Sequence, residues 1–246
     1  MRKPCIEDCY CPYLFYKMFF MTLPSHINVR KSARARRLAL RLDPKARVFD
    51  LVVPKGVSMR KAERFAESHE GWMRDKLAEL PSAIAFVDGA IIPVMGRDRV
   101  IDVFVDDSIK RTKITMTDTH LEVRTNLDDP QSRIRRWLKA LAKEELEAMS
   151  HVKAAEIGKN VAAVSIRDTK SRWGSCSESG KISYSWRLIF APWAAIDYVV
   201  AHEVAHLEHM DHSKDFWRVC EGLSADYKAG HGWMKKHGSE ELMRFG

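Results

Sequence analysis

Long apolar runs are missing from this chain of 246 residues, and so is an even set of cysteines. The most apolar stretch, Tyr13 to Leu23, is broken by Lys17. It falls well short of the roughly 20 residues that a helix needs to cross a bilayer, so no membrane span is expected. Glu7 and Asp8 spoil a basic leader ahead of it, and no Ala-x-Ala-like cleavage site follows. The five cysteines are Cys5, Cys9, Cys11, Cys176 and Cys220. An odd number with three crowded at the start is no disulfide framework, which predicts a reducing, cytoplasmic setting. The C-x-x-x-C-x-C spacing of the first three is not a usual zinc pattern either. Internal repeats and low-complexity tracts are also lacking. Hydrophobic content of 46% and charged content of 30% are those of an ordinary globular chain, long enough to bury a core.

What is present in excess is positive charge, +8 overall. Such a field attracts phosphates, anionic lipids or acidic peptides without naming one. Arg30, Lys31, Arg34, Arg36, Arg37, Arg41, Lys45 and Arg47 crowd one segment. Nucleic-acid binding is one reading of it; a solvated strand face and loop is the other, favoured because no nucleic-acid motif accompanies the charge.

The periodicity predicts an α+β chain. Residues 1–26 read as a flexible leader or a misassigned start. Alternation over 37–42 and 48–53, joined by Asp43-Pro44, predicts a hairpin. Ser58 opens a helical stretch running to Pro81. Short strands return over 84–125, at 100–105, 113–116 and 120–124. Asp128-Asp129-Pro130 then starts a long helix with one apolar face (Ile134, Trp137, Leu138, Leu141, Leu146) that ends near Gly158. The expected organisation is therefore a leader over 1–26, a strand-rich region over 27–127, and a mostly helical region over 128–246.

The chemistry concentrates in His202-Glu203-Val204-Ala205-His206. Residues four apart share a helix face, so two imidazoles can reach one ion. A neighbouring carboxylate can take a proton from water bound to that ion. Ile196, Val200, Val204 and Leu207 supply an apolar stripe on another face, predicting a half-buried helix. A catalytic zinc ordinarily has three protein ligands. His209 stands seven residues from His202, roughly 10 Å along a straight helix, too far to share the ion. The third ligand should come after the chain turns back, which selects His212.

The run His202-Glu203-Val204-Ala205-His206-Leu207-Glu208-His209-Met210-Asp211-His212-Ser213, with Phe216-Trp217 after it, resembles the YgjP-like metallopeptidases, relatives of the SprT-like zincins. Asp168-Thr169-Lys170-Ser171-Arg172-Trp173-Gly174-Ser175-Cys176 and Ile182-Ser183-Tyr184-Ser185-Trp186-Arg187-Leu188 extend the similarity upstream. It runs from about Val29 to the C-terminus. The resemblance implies a zincin-like catalytic region, Zn2+ as cofactor, His202, His206 and His212 as metal ligands, Glu203 as catalytic base and a peptide or protein substrate. It further implies a small sheet with an edge strand, assigned to 181–190, which would pair with extended substrate. Some SprT-like proteins act on DNA-bound protein, which keeps nucleic acid among the partners to consider.

Donors for an oxyanion include Tyr184, Arg172, His209, Tyr227 and His231, unranked by sequence. Trp173, Gly174 and Cys176 read as structural, Cys176 as a buried thiol. Two other functions fit the same motif: a nucleic-acid-associated protein with a structural or vestigial metal site, and a zinc hydrolase of non-peptide substrates. A carboxylate at Glu203 argues against a purely structural metal.

Overall fold

The structure, a computed structural model, describes residues 24–44, 46–80, 82–169 and 172–245. Cys5, Cys9, Cys11 and the rest of the expected leader up to Leu23 lie outside them, as do Lys45, Lys170 and Ser171. Contacts divide the chain into two compact units.

The first unit holds the described residues up to Leu42 together with Val48–Met73. Its sheet has the spatial order β1 (Ile27–Ser32), β3 (Val48–Pro54), β2 (Ala39–Asp43). The expected partners β2 and β3 are neighbours, and β1 joins β3 in parallel. Strand β1 carries little alternation to read, because only Ile27 is buried and Asn28 to Lys31 are exposed. Phe49 and Leu51 point into the core of this unit. Arg30, Lys31, Arg34, Arg36, Arg37 and Arg41 are all exposed. The helical stretch after Ser58 is two helices, α1 (Met59–Glu67) and α2 (Glu70–Glu79). Ser58 caps α1 by accepting from the Lys61 N–H. The break falls at Ser68, whose hydroxyl donates back to the Phe65 carbonyl at 2.8 Å. That local bond competes with continuation of the helix.

The second unit comprises Asp43–Arg47 and all residues from Arg74, so both sides of Asp128 belong to it. Its larger sheet is ordered β4 (Ile91–Val94), β5 (Arg97–Val105), β7 (His120–Thr125), β6 (Lys113–Met116). Strands β5 and β7 are parallel and the outer pairs antiparallel. Ile92, Val94, Ile101, Leu121 and Val123 alternate into the core with no exposure. Between β4 and β5 the chain turns in two residues, Met95 and Gly96, both with positive φ. A side chain at Gly96 would also come within 3.0 Å of the Trp193 backbone nitrogen. Helix α3 (Gln131–Glu156) buries Ile134, Leu138, Leu141, Ala142 and Leu146. It ends before Gly158, whose φ of 65° is the usual helix-stopping conformation.

A second small sheet is ordered β8 (Ala163–Arg167), β10 (Lys181–Ser185), β9 (Gly174–Cys176). This corrects the expectation for 181–190. That strand lies in the middle of the sheet, parallel to β8 and antiparallel to β9. It also ends at Ser185, and Trp186–Phe190 form a 3-10 turn in which all five residues are buried. A half-buried strand exposes every second residue; the five consecutive buried residues from Trp186 to Phe190 depart from that alternation. Arg187 is accommodated among them by the Asp168 carboxylate and by donating to the Phe245 carbonyl at 2.8 Å. The edge beside the histidine motif is β9. Among the described residues no helix is long and apolar enough to cross a membrane.

Candidate metal centre

Helix α4 (Trp193–Ala205) carries the histidine motif. A half-buried helix was expected, yet every residue from Ala195 to Ala205 except His202 is buried. Helices α3, α5 (Lys214–Leu223) and α6 (Tyr227–Glu241) pack around it. The approach of α6 requires Gly230, since a methyl there would stand 2.6 Å from Tyr198 Cβ and collide with the Ala194 carbonyl.

A buried ion pair ties these helices together. Lys153 Nζ of α3 lies 2.6 Å from Asp197 Oδ1 of α4. Asp197 Oδ2 accepts from Ser224 Oγ at 3.0 Å and from the Ala225 N–H at 2.8 Å. Lys153 also donates to the Leu223 carbonyl. Breaking such a pair leaves a buried charge uncompensated, at a cost of about 3–5 kcal/mol. Lys153→Met is expected to lose that much stability in urea unfolding. The double change Lys153→Met with Asp197→Asn should lose less than the sum of the two single changes.

Helix α4 stops at His206, and the chain turns through 207–213 before α5. Asp211 Oδ1 accepts from the Ser213 N–H at 3.1 Å, and Ser213 Oγ accepts from the Phe216 N–H at 3.3 Å. This turn brings His212 back over the helix. One ring nitrogen from each of His202, His206 and His212 falls within 4.8 Å of the others. His202 Nε2 and His212 Nε2 are 3.3 Å apart. Two nitrogens bound tetrahedrally to zinc at about 2.05 Å would stand about 3.3 Å apart, so this spacing fits a shared ion. His206 Nδ1 lies 3.0 Å from the His209 carbonyl. With its proton donated there, Nε2 keeps a lone pair for metal. His209 thus serves through its backbone, while its ring sits 3.8 Å from Glu208. His202 Nδ1 is buried with no hydrogen-bond partner. Burial, reinforced by His206, His212 and His231, pushes the His202 pKa down to about 4. The ring is held neutral, the form that binds metal. Phe216 lies tilted against the His206 ring at 4.5 Å and Trp217 against the His212 ring at 5.6 Å, packing both imidazoles.

Glu203 is 5% exposed, and burial raises its carboxyl to about 8. A cation nearby would favour the carboxylate instead. Gly174 of β9 packs flat against it: a methyl at that position would stand 2.5 Å from Glu203 Cγ and 2.6 Å from Cδ. Pairing of β9 with β10 runs through alternate residues, since Ser185 N–H donates to the Trp173 carbonyl and Ser177 N–H to the Lys181 carbonyl. By that alternation Gly174 and Cys176 turn their N–H and C=O groups to the open edge. Alongside lies a groove of about 360 Å3 whose lining includes Arg172, Gly174, Tyr198, His202, Glu203 and His231.

Of the oxyanion candidates, Arg172 and His231 line this groove. Tyr184 does not: it is fully buried, with its hydroxyl 2.9 Å from Ser150 Oγ. Tyr227 stacks on His231 at 5.7 Å without lining the groove. Cys176 is a half-buried thiol that burial and then Glu203 push up to about 11, so it stays protonated. Sequence reading missed the Gly174–Glu203 contact, the His209 carbonyl and the groove-lining Tyr198. Only Tyr198 left a signal, four residues before His202 on the same helix face.

A His-Glu pair on a buried helix, with a third histidine from the following turn, is the arrangement of a metal-dependent hydrolase. The family model described as "YgjP-like, metallopeptidase domain" matches residues 36–237, and the chain belongs to that family. No curated protein matches. Among solved structures, the chain is similar to the metallopeptidase zymogen of Pyrococcus abyssi, abylysin. That match has 24% identity over 38% of this chain and 95% of the other, with a TM-score of 0.34.

Proposed function

We propose that this chain is a cytoplasmic zinc peptidase that hydrolyses bonds in extended peptide or protein segments, with Glu203 as general base. The observation that carries the reading is the convergence of three imidazole nitrogens beside a buried carboxylate, next to an open strand edge. His202, His206 and His212 would hold the ion through nitrogen donors, a set that suits zinc. Bound zinc would polarise a water and bring its pKa toward neutrality.

The remaining work falls to the chain itself. Gly174 and Cys176 offer main-chain donors and acceptors to a substrate strand laid along β9. Glu203 takes a proton from the attacking water and delivers it to the departing amine. Arg172 and His231 stand in the groove where charge on the carbonyl oxygen would develop, and each is a donor suited to it.

Metal analysis and proteolysis of unfolded casein test the reading together. Chelation should abolish cleavage and added zinc restore it. His212→Ala should fall well below one zinc per chain after dialysis, whereas His209→Ala, which keeps its backbone carbonyl, should retain a full equivalent. The reverse order would make His209 the third ligand. Zinc-loaded protein that leaves casein and shorter peptides intact would overturn the peptidase assignment.

A further inference from the structure

Away from the metal centre, a cleft of about 530 Å3 opens at the start of α3. Lys110 and Arg111 reach it from the loop between β5 and β6, and Arg133 and Arg136 from the first two turns of α3. Thr112 and Asn126 complete its polar lining, and no acidic residue and no aromatic ring lines it. Some cations of this unit have carboxylate partners, as in Arg97 with Asp118 at 2.6 Å and Lys143 with Glu147 at 2.5 Å. Among the described residues none of these four has one.

The nearest carboxylates in sequence are engaged or turned aside. Asp106 accepts from the Ser108 N–H at 2.9 Å and its hydroxyl at 2.6 Å. Asp129 accepts from the Gln131 N–H at 3.1 Å. Asp107 and Asp128 are exposed on the same loops without lining the cleft. The walls are preformed. Thr112 Oγ1 and Thr125 Oγ1 are 2.8 Å apart and join the ends of β6 and β7, and Thr125 Oγ1 also accepts from the Leu127 N–H at 3.2 Å.

Four unpaired cations around one small cleft repel one another, and a compact, multiply charged anion neutralises them together. A phosphate group carries about 1.5–2 negative charges where a carboxylate carries one. Guanidinium forks match phosphate oxygens in pairs. The start of α3 adds the positive end of a helix 26 residues long. We propose that this cleft binds a ligand bearing two or more adjacent phosphate groups, recognised by charge and geometry. With no aromatic platform in the cleft, it reads phosphates and not bases.

The test uses the full-length, zinc-loaded protein, with tripolyphosphate and a fluorescent single-stranded oligonucleotide as probes. Tripolyphosphate should bind at low ionic strength and weaken steeply with added salt. Arg133→Gln with Arg136→Gln, and separately Lys110→Gln with Arg111→Gln, should each weaken binding by about 10-fold or more. Zinc content and casein turnover should not change, which separates this site from the metal centre. If the oligonucleotide binds, is displaced by tripolyphosphate and is lost in the same variants, the phosphates belong to a nucleic-acid backbone. If tripolyphosphate alone binds, they belong to a free polyphosphate-type ligand. No binding at low salt, or binding that both double variants leave intact, overturns the proposal.

Discussion

Glu203→Gln is expected to keep a full equivalent of zinc and to lose about 10²–10⁴-fold in kcat, the usual contribution of general base catalysis. Glutamine has nearly the same shape and makes no demand on the three histidines. It cannot accept the proton of the attacking water. The same variant gives a second readout in metal-free protein. In the unfolded chain this carboxyl titrates near its ordinary 4.5, and in the folded metal-free chain near 8. Between these values the folded form retains a proton that the unfolded form has released. The contribution of Glu203 to the stability of the metal-free protein should therefore fall as pH rises from about 4.5 to about 8, while His202, lowered to about 4, contributes an opposing rise up to its ordinary 6.5. Glutamine has no charge to bury, so above pH 8 the metal-free variant should be the more stable protein, by a few kcal/mol at order of magnitude. Urea titrations at pH 5 and pH 8.5 measure the difference. Full turnover by zinc-loaded Glu203→Gln would remove the residue from the mechanism.

Gly174→Ala should cost about 10²-fold in kcat without loss of zinc. The added methyl would overlap the middle of the Glu203 side chain, with Cγ at 2.5 Å and Cδ at 2.6 Å. Those atoms are hemmed in by a buried helix, so the carboxylate has to swing aside. A misplacement of about 1 Å in a reacting group commonly costs that factor. Retention of zinc in Gly174→Ala separates a displaced carboxylate from simple misfolding, which would also disperse the three histidines. Ser175→Ala, one residue along and with its hydroxyl 3.1 Å from Ser183 Oγ, should change kcat by no more than about 2-fold. Wild-type turnover in Gly174→Ala would show that the base does not depend on this contact.

The helix face of α3, the strands over 100–125 and the shared helix face of His202 and His206 could be read from periodicity alone, because each depends on neighbours within a turn or two. The return of His212 could be reasoned from helix rise. Gly174 could not, because its significance lies in a contact with a residue 29 positions away that no local pattern encodes. The strand over 181–190 was misjudged for a related reason. Its alternation is real up to Ser185, but which strand of a sheet stands at the edge depends on pairings made far along the chain. The burial of α4 from Ala195 to Ala205, His202 excepted, was hidden similarly, since α3 and α6 cover faces that look polar or neutral in sequence, with Asp197 paired to Lys153.

The open edge of β9 and the carboxylate of Glu203 meet at one backbone position, Gly174. Under the proposed function, a substrate strand that docks in poor register along β9 would tug on the same few atoms against which Glu203 rests. Fit along the peptide and readiness for proton transfer are then mechanically linked. Sequence preference in such an enzyme should surface as differences in turnover among peptides that bind about equally well.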